Sequence, residues 1–503
     1  MSEIEKSFTP PDEFEQWPMG DLLRYHAEGG AARPAITFGG TTLTYAQLDE
    51  RTNRRARHLA DLGVGEGDVV TIAMAKGIAF YEAVFAVWKL GATPNPVSAS
   101  LPAAERQAIL ELAKPRLVIG PEGDDLPGWE VLGAGAFDAP APHSPARLSA
   151  PPAKNWKIMT SGGSTGRPKL IVDGRAATHD PRFPVLTQVV GDTVLNPGPL
   201  YHNTPFTVTM HCLFTGGHVI EMERFDPLRT LELIETHKVG WISLVPTMMH
   251  RIWRLPEDQR LSFDLSSLRV VFHNAAACPV WLKQEWIDWL GPDRIIELYG
   301  GTEGQGFTVI NGREWLAHKG SVGRVVNGSR LSVRNDAGGE CAPGEIGTIY
   351  FLPESGKGST YRYVGAEPQA LGDWESLGDL GYLDEDGFLF LADRRKDLII
   401  SGGANIYPAE VEAALDAHPM VLSSIAVGLP DADMGQRVHA IVQVGTEKPD
   451  PSEDALREFL GTRLARYKIP KTFEFTSEAL RDDAGKARRS KLAEDRADTS
   501  SEG

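Results

Sequence analysis

The chain has 503 residues, more than one ordinary domain needs and enough to bury a large core. Its 42% hydrophobic and 24% charged residues are typical of a soluble globular enzyme. The net charge of −17 argues against a general binder of nucleic acid or anionic membranes. Basic residues instead occur in local clusters, which suits a small polyanionic ligand.

Cysteine usage and the N-terminal sequence predict a cytoplasmic protein. Cys212, Cys278 and Cys341 are far apart and odd in number, as expected for free thiols in a reducing compartment. The first residues lack the basic start and apolar core of a signal peptide. No uncharged apolar run reaches the roughly 18 residues that span a bilayer, so we expect no transmembrane segment.

The first third of the chain alternates between helix and strand signals. Thr44 and Gln47 form a capping box that starts a helix ending near Gly63. A strand at 69–74, a helix at 78–90 and a strand at 116–119 follow. Residues 121–155 are rich in Pro, Gly and Ala without periodicity, which predicts a long surface excursion. The alternation indicates an α/β region.

Further strands are predicted at 218–221, 241–245, 268–272 and 295–298, and closely spaced β runs at 320–352 indicate a small β subdomain. A second boundary falls near Asp393. Beyond it, a compact unit of mixed helices and strands can hold its own core. We therefore predict an α/β fold with a large N-terminal domain over residues 1–393, which contains the β subdomain, and a small α+β C-terminal domain over residues 394–503.

Residues 160–169 have the composition of a loop that wraps a polyphosphate: they read Thr-Ser-Gly-Gly-Ser-Thr-Gly-Arg-Pro-Lys. Glycines let backbone N–H groups turn inward, hydroxyls add donors, and Lys169 supplies a point charge. The loop is not a Walker A motif, because Pro168 precedes the lysine and an apolar run follows it. A β-like run at 157–159 comes before it, so we expect a loop that joins two short strands. A glycine-rich surface turn is the alternative interpretation.

Three more motifs follow in order, at 299–303 (Tyr-Gly-Gly-Thr-Glu), 378–397, and 481–491 (Arg-Asp-Asp-Ala-Gly-Lys-Ala-Arg-Arg-Ser-Lys). Together with the first loop they resemble the adenylate-forming superfamily of acyl-CoA synthetases, peptide-synthetase adenylation domains and luciferases. The resemblance extends from about residue 20 to residue 492 and is strongest to stand-alone acid–CoA ligases. It implies that a carboxylate attacks the α-phosphorus of ATP, and that CoA then takes the acyl group and releases AMP. Mg²⁺ is the implied cofactor, and ATP, CoA and a small-molecule acid are the implied partners.

The resemblance assigns the ATP site. Its members are Thr160, Ser161, Gly162, Gly163, Ser164, Thr165, Gly166, Lys169, Asn274, Ala275, Ala276, Tyr299, Thr302, Asp379 and Arg394. The loop would hold the β- and γ-phosphates, Tyr299 would stack on adenine, and Thr302 would bind the α-phosphate. Glu303 would coordinate Mg²⁺, and Asp379 would accept from the ribose hydroxyls, which suits a carboxylate because both of its oxygens are acceptors.

The resemblance also assigns catalysis, acyl binding and domain motion. Catalytic roles fall on Lys486, Thr302 and Glu303, with Lys486 bridging the acid's carboxylate and the α-phosphate. Arg394 would bind ribose or phosphate. The implied acyl pocket consists of His202, Asn274, Ala275, Gly300 and Gly301. Lys396 falls at the hinge of a mobile C-terminal domain, and Gly402 and Gly403 would approach CoA. We further expect a homodimer and a lysine acetyltransferase that acts on Lys486.

Two departures from the family pattern bear on the acid. Leu170 stands where relatives usually have Gly, and Asn274 and Ala277 stand where Gly and Pro are commoner. The loop variant is most similar to ligases for bulky acids, such as steroid side-chain carboxylates, so we expect a fatty, aryl or steroid-type acid. Residues 200–206 hold no Asp to bind an amine, which disfavours amino acids. The alternatives are an enzyme that loads a separate carrier protein, a luciferase, and a nucleotide sensor without catalysis.

Overall fold

A computed structural model describes residues 14–120, 126–139, 141–162, 168–431, 433–445, 450–482 and 485–497. The predicted helix after Thr44 is confirmed at Tyr45–Asp61, and both hydrogen bonds of the Thr44 capping box are present. The α-helices within the described residues are Leu22–Gly29, Tyr45–Asp61, Ile78–Trp88, Ala103–Ala113, Asn203–Phe214, Pro227–His237, Pro246–Trp253, Glu257–Arg260, Val280–Leu290, Gly312–Ala317, Pro408–Asp416, Glu453–Gly461 and Arg489–Ala497.

The largest sheet of the described residues has fifteen strands. Its central strands are parallel, as expected where helices cover both faces, and run in the order Ile295–Gly300, Val270–His273, Trp241–Leu244, Thr193–Asn196, His218–Glu221 and Pro34–Phe38. Thr41–Thr44 closes that edge as an antiparallel hairpin. The carboxyl ends of the parallel strands lead into Asn196, His273 and Gly300, where sites form in open α/β sheets.

Antiparallel strands extend the same sheet on its other side and form the predicted β subdomain, which continues well past residue 352. They are Phe307–Asn311, Ser321–Val326, Leu389–Arg394, Asp379–Leu383, Gly347–Leu352, Trp374–Ser376 and Gln369–Leu371, with Arg330–Arg334 paired to Gly347–Leu352. Leu389–Arg394 pairs with Asp379–Leu383, so Arg394 lies directly opposite Asp379.

Three smaller sheets complete the N-terminal part. Thr93–Pro96, Val69–Ile72, Leu117–Gly120 and Val131–Gly133 form a parallel sheet. Tyr361–Val364, Pro168–Asp173 and Ile158–Gly162 form an antiparallel one, and Trp17–Pro18 pairs with Thr178–His179. The predicted excursion at 121–155 is wrong for residues 131–137, which form a strand and the 3₁₀ helix Ala134–Phe137. A three-residue strand is too short to leave a periodic signal, and Phe137 is buried.

The C-terminal residues form a separate five-stranded sheet with helices packed against it. Its strands are Ala404–Ile406, Ile399–Ser401, Gly435–Gln443, Ser423–Asp431 and Thr472–Thr476. The helices Pro408–Asp416 and Glu453–Gly461 contribute to a core separate from those of the N-terminal part. A large α/β domain and a small α+β domain therefore make up the fold, as predicted. Every helix in the described residues lacks the length or the apolar character that a bilayer crossing requires.

Candidate active site

The predicted phosphate loop lies between two paired strands, as expected. Ile158–Gly162 and Pro168–Asp173 run antiparallel, with Gly162 opposite Pro168. Thr160 has a buried hydroxyl that meets no hydrogen-bond partner among the described residues. Gly163, Ser164, Thr165 and Gly166 lie outside the described residues.

Lys169 and Glu303 meet at the start of strand Pro168–Asp173. The Lys169 ammonium lies 3.4 Å from Glu303 Oε1 and 3.8 Å from the centre of the Tyr363 ring. The Tyr363 hydroxyl donates to the same Glu303 oxygen over 2.5 Å. Burial lowers the pKa of Lys169 despite the neighbouring carboxylate. A cation and a buried carboxylate are thus held together, a pair with the charges that could hold a triphosphate and a metal ion.

Close packing explains the glycines between Tyr299 and Glu303. A Cβ on Gly301 would lie 2.5 Å from Glu303 Oε2, and one on Gly300 would lie 2.5 Å from the Phe307 ring. Any side chain at either position would push Glu303 or Phe307 aside. Thr302, between Gly301 and Glu303, is half-buried.

Tyr299, Asp379 and Arg394 form a second cluster. The Tyr299 hydroxyl donates to Asp379 Oδ2 over 2.8 Å, and Arg394 Nε lies 3.2 Å from Asp379 Oδ1. Burial, reinforced by Asp379, raises the pKa of Tyr299 well above its usual range, so this phenol stays protonated. The Tyr299–Asp379 bond brings the motif at 299–303 and the motif at 378–397 to one point, and strand pairing places Arg394 opposite Asp379.

The segment after strand Val270–His273 lies beside the start of helix Asn203–Phe214. Asn274 Nδ2 donates to Thr204 Oγ1 over 2.7 Å. Ala275 has a φ of +73°, in the left-handed region that favours glycine, and its side chain is exposed. A non-glycine residue held in this conformation stores strain, which occurs often at functional sites. Ala276 is half-buried.

Lys486 reaches the cleft between the two domains. It keeps solvent-exposed surface, yet the surrounding protein, followed by the charge of Arg394, lowers its pKa. The residue before it, Gly485, packs on the other domain: a Cβ there would lie 3.2 Å from Thr247 Oγ1. Glu303 also acts on the charge of Lys486. The 485–486 segment is therefore docked against the N-terminal domain.

His202 is the N-terminal flanking residue of helix Asn203–Phe214 and faces Lys486. Burial, followed by the Lys486 charge, lowers its pKa to about 4, so the ring is neutral at physiological pH. Its Nε2 atom is buried and has no hydrogen-bond partner within the part of the chain that the structure describes. An unsatisfied buried nitrogen beside a cleft is suited to a ligand group.

Arg254 makes a second contact between the domains. Its Nη2 donates to the carbonyls of His418, Pro419 and Val421 at 3.3, 3.3 and 2.6 Å. Its Nε bonds the His250 ring over 3.0 Å. The accepting carbonyls lie in the turn that follows helix Pro408–Asp416, where the Val421 N–H also donates to the His418 carbonyl.

An ion-pair network links the Lys486 segment to the predicted hinge. Arg489 donates to both oxygens of buried Glu412, at 2.9 and 2.7 Å, and lies 3.3 Å from Asp397. Arg481 donates to Glu412 as well, over 2.8 Å. Lys396, next to Asp397, is exposed and lies in a short 3₁₀ turn between the two sheets.

Gly402 and Gly403 are not among the groups gathered in the cleft in this structure. They form a two-residue hairpin turn between Ile399–Ser401 and Ala404–Ile406. Their φ values are +56° and +80°, the combination for which type I′ turns need glycine. A Cβ on Gly402 would collide with Met434 of the same domain.

Sequence reasoning missed three residues at this site. Tyr363 touches Lys169 and Glu303 only because strand Tyr361–Val364 pairs with Pro168–Asp173, and no local motif marks that pairing. Thr204 meets Asn274 across two separate segments. Arg254 is likewise visible only through the packing of one domain on the other.

Comparison with known proteins identifies the enzyme family to which the chain belongs. The AMP-binding enzyme family matches residues 23–355, and its C-terminal domain matches residues 410–486. The chain belongs to the AMP-binding enzyme family. This confirms the predicted adenylate-forming superfamily and the predicted activity class, an ATP-dependent AMP-forming ligase of carboxylic acids and CoA.

Particular relatives cover nearly the whole chain. A feruloyl-CoA synthase of Amycolatopsis sp is 33% identical over 90% of this chain and 94% of its own. The long-chain-fatty-acid–CoA ligase FadD13 of Mycobacterium tuberculosis is 30% identical over 95% and 98%. The o-succinylbenzoate CoA synthetase MenE of Bacillus subtilis, solved with its acyl-adenylate intermediate, superimposes with a TM-score of 0.79 at 26% identity, covering 95% of this chain and 98% of MenE.

Proposed function

We propose that the cleft between the domains activates a hydrophobic or bulky carboxylic acid, of the aryl, fatty or steroid side-chain class, and passes it to CoA. The observation that carries the proposal is the position of Lys486: the residue before it packs on Thr247 of the N-terminal domain, and its charge interacts with His202, Arg394 and Glu303. A single cation there can meet both an acid and a phosphate. Aryl and fatty acids are named in the relatives that cover the chain.

The first half-reaction joins two anions, so cations and aligned donors lower its barrier. An oxygen of the acid attacks the α-phosphorus, the bond to the β-phosphate oxygen breaks, and pyrophosphate leaves. Lys486 neutralises the approaching carboxylate and the α-phosphate, where Thr302 adds a hydroxyl. Lys169 and the loop from Thr160 to Gly166 hold the outer phosphates.

The metal and the nucleoside have suitable partners. Glu303 would hold Mg²⁺, since a buried carboxylate is the oxygen ligand that this ion prefers. The ion supplies positive charge that offsets the triphosphate. Asp379 accepts from the ribose hydroxyls, and Tyr299 is kept in place by its bond to Asp379 while its ring stacks on adenine. Arg394, opposite Asp379, binds ribose or phosphate.

The acid's apolar part extends from the neutral His202 ring across Asn274, Ala275, Ala276, Gly300 and Gly301. In the second half-reaction the CoA sulfur attacks the acyl carbon, the bond to AMP oxygen breaks, and the thiol proton passes to solvent. We place the domain division at 393/394 and the pivot at Lys396, with rotation bringing Gly402 and Gly403 toward CoA.

Three finer statements belong to the same proposal. The chain acts in the cytoplasm, in keeping with its free cysteines. It forms a homodimer, which sedimentation would measure. A lysine acetyltransferase switches it off by acetylating Lys486, because acetylation removes the charge.

The test begins with acid-dependent pyrophosphate release over a panel of aryl, fatty and steroid side-chain acids, each with and without CoA. Lys486→Ala should then reduce adenylation by about 10²–10³-fold while thioester formation from preformed acyl-adenylate changes far less. Lys491→Ala, which removes an exposed cation from the neighbouring helix, is the matched control. Equal losses in both half-reactions would contradict the assignment.

A further inference from the structure

Lys157 is a fully buried lysine that the proposed chemistry does not use. It is 2% exposed and immediately precedes strand Ile158–Gly162, which leads into the phosphate loop. Its Nζ donates to Asn203 Oδ1 over 2.5 Å and to Thr207 Oγ1 over 2.7 Å. Among the described residues, no carboxylate lies within ion-pair distance of this amine. A buried lysine without such a partner is costly, so its two polar contacts need a reason.

Those contacts fix the first turn of the helix that follows His202. Asn203 and Thr207 are four residues apart and present one face of helix Asn203–Phe214 to Lys157. Thr204, between them, is bound by Asn274 from the segment proposed to border the acid. Lys157 and Asn274 thereby join the phosphate-loop strand, the helix start and the Asn274 segment, and His202 flanks that helix start.

We propose that Lys157 is a positioning residue for acid binding: it holds the start of helix Asn203–Phe214, and with it His202, against the strand that enters the phosphate loop. The inference rests on the proposed place of His202 in the acyl pocket. Lys157 itself touches neither acid nor ATP, since its side chain is closed off from the cleft.

The amine is suited to acting in its neutral form. Burial lowers the pKa of Lys157 to about 7. A neutral amine has two N–H bonds, one each for Asn203 and Thr207. A helix N-terminus beside the amine disfavours the charged form, while the Trp156 ring, whose centre lies 4.0 Å away, offsets part of that cost through a cation–π contact.

The charged and titratable groups around Lys157 keep one state near neutral pH. Asp173 accepts two side-chain hydrogen bonds from Arg175. Despite burial, the charges of Arg175 and Lys157 hold the pKa of Asp173 at about 2. Burial lowers the pKa of His211, on the same helix, well below its usual range, and that of His179 beside it to about 4. Between about pH 6 and pH 8, Lys157 is therefore the group in this set that changes charge.

The experiment compares Lys157→Met, which keeps the length but removes both donors, with Lys157→Gln, which keeps a neutral donor. The Met variant should raise KM for the acid about tenfold and leave KM for ATP within about twofold, as expected for two lost hydrogen bonds at the acid end. The Gln variant should retain acid KM within about threefold. Lys89→Met is the matched control, because Lys89 is also buried but pairs with Asp49 away from the cleft.

A pH profile gives the second measurement. In the wild type, acid KM should rise as pH falls through about 7, because protonation of Lys157 disturbs the helix start. Both substitutions should remove this step. Thr207→Val, which deletes one acceptor of the Lys157 amine, should raise the KM for the acid about threefold. This variant replaces Lys157→Met in the experiment if Lys157→Met does not fold.

Two results for Lys157→Met would overturn the inference. One is a KM for the acid equal to that of Lys89→Met, and the other is an equal rise in the KM values for the acid and for ATP. The proposed function fails separately, and visibly, if wild-type protein releases no pyrophosphate with any acid. If His202→Ala changes acid selectivity while Lys157→Met and Thr207→Val do not, the pocket stands and the positioning role falls.

Discussion

Arg254 offers a direct test of whether the docked arrangement of the two domains serves adenylation. Arg254→Met removes a half-buried guanidinium that donates to three carbonyls of the C-terminal domain, one of them at 2.6 Å. Hydrogen bonds to a charged group contribute about 1.5–3 kcal/mol when short. The two bonds at 3.3 Å add little, so about 2 kcal/mol of docking energy is lost. That corresponds to about a 30-fold shift of the equilibrium between docked and rotated arrangements.

Single-turnover kinetics of the two half-reactions measure this shift. In the proposed mechanism acyl-adenylate formation needs Lys486 in the cleft, so it should slow by about tenfold or more, whereas consumption of preformed acyl-adenylate by CoA should be unchanged or faster. Arg251→Met, an exposed arginine on the same helix, controls for loss of a surface charge. If Arg254→Met matches Arg251→Met, or slows both half-reactions alike, the docking argument is refuted.

Four substitutions test other parts of the protein. Ala275→Gly removes the strain of an alanine held at a positive φ, so the free energy of unfolding should stay level or rise by about 0.5 kcal/mol in a urea titration. Ala276→Gly, at an ordinary φ, should lower the free energy of unfolding by about 0.5–1 kcal/mol in the same titration. Ala276→Trp should shift acid preference toward smaller acids with little change in ATP dependence, and an unchanged acid profile would make this segment packed structure only. Lys396→Pro fixes φ near about −65° and should preserve adenylation while thioester formation collapses; equal retention of both would exclude residue 396 as the pivot.

Local signals in the sequence predicted the elements around the site well. The Thr44 capping box, the glycine-rich loop between two strands and the alternating strands and helices each depend on neighbouring residues, and all three are present. Adjacent parallel strands bring their carboxyl ends to one edge, so the His273 and Tyr299 segments meet there without any special signal.

Contacts between segments that are distant in the chain could not be predicted from these local signals. Tyr363 covers Lys169 because of a strand pairing whose register no short motif encodes. The sequence predicts a β run at Lys157, but its contacts with Asn203 and Thr207 depend on a helix that lies about fifty residues further along the chain. Gly402 and Gly403 were assigned from the family pattern to CoA, while their immediate structural requirement is a turn with two positive φ values.

The network of Arg489, Glu412 and Asp397 has a mechanical consequence. Arg489 lies three residues after Lys486, Asp397 lies one residue after Lys396, and buried Glu412 is bonded to Arg489 through both carboxylate oxygens. Lys486 and the proposed pivot are therefore attached to one stiff body, which leaves the backbone at 394–396 to absorb the torsion of the proposed rotation. A rotation about Lys396 would carry Lys486 through the same angle as the rest of the C-terminal domain.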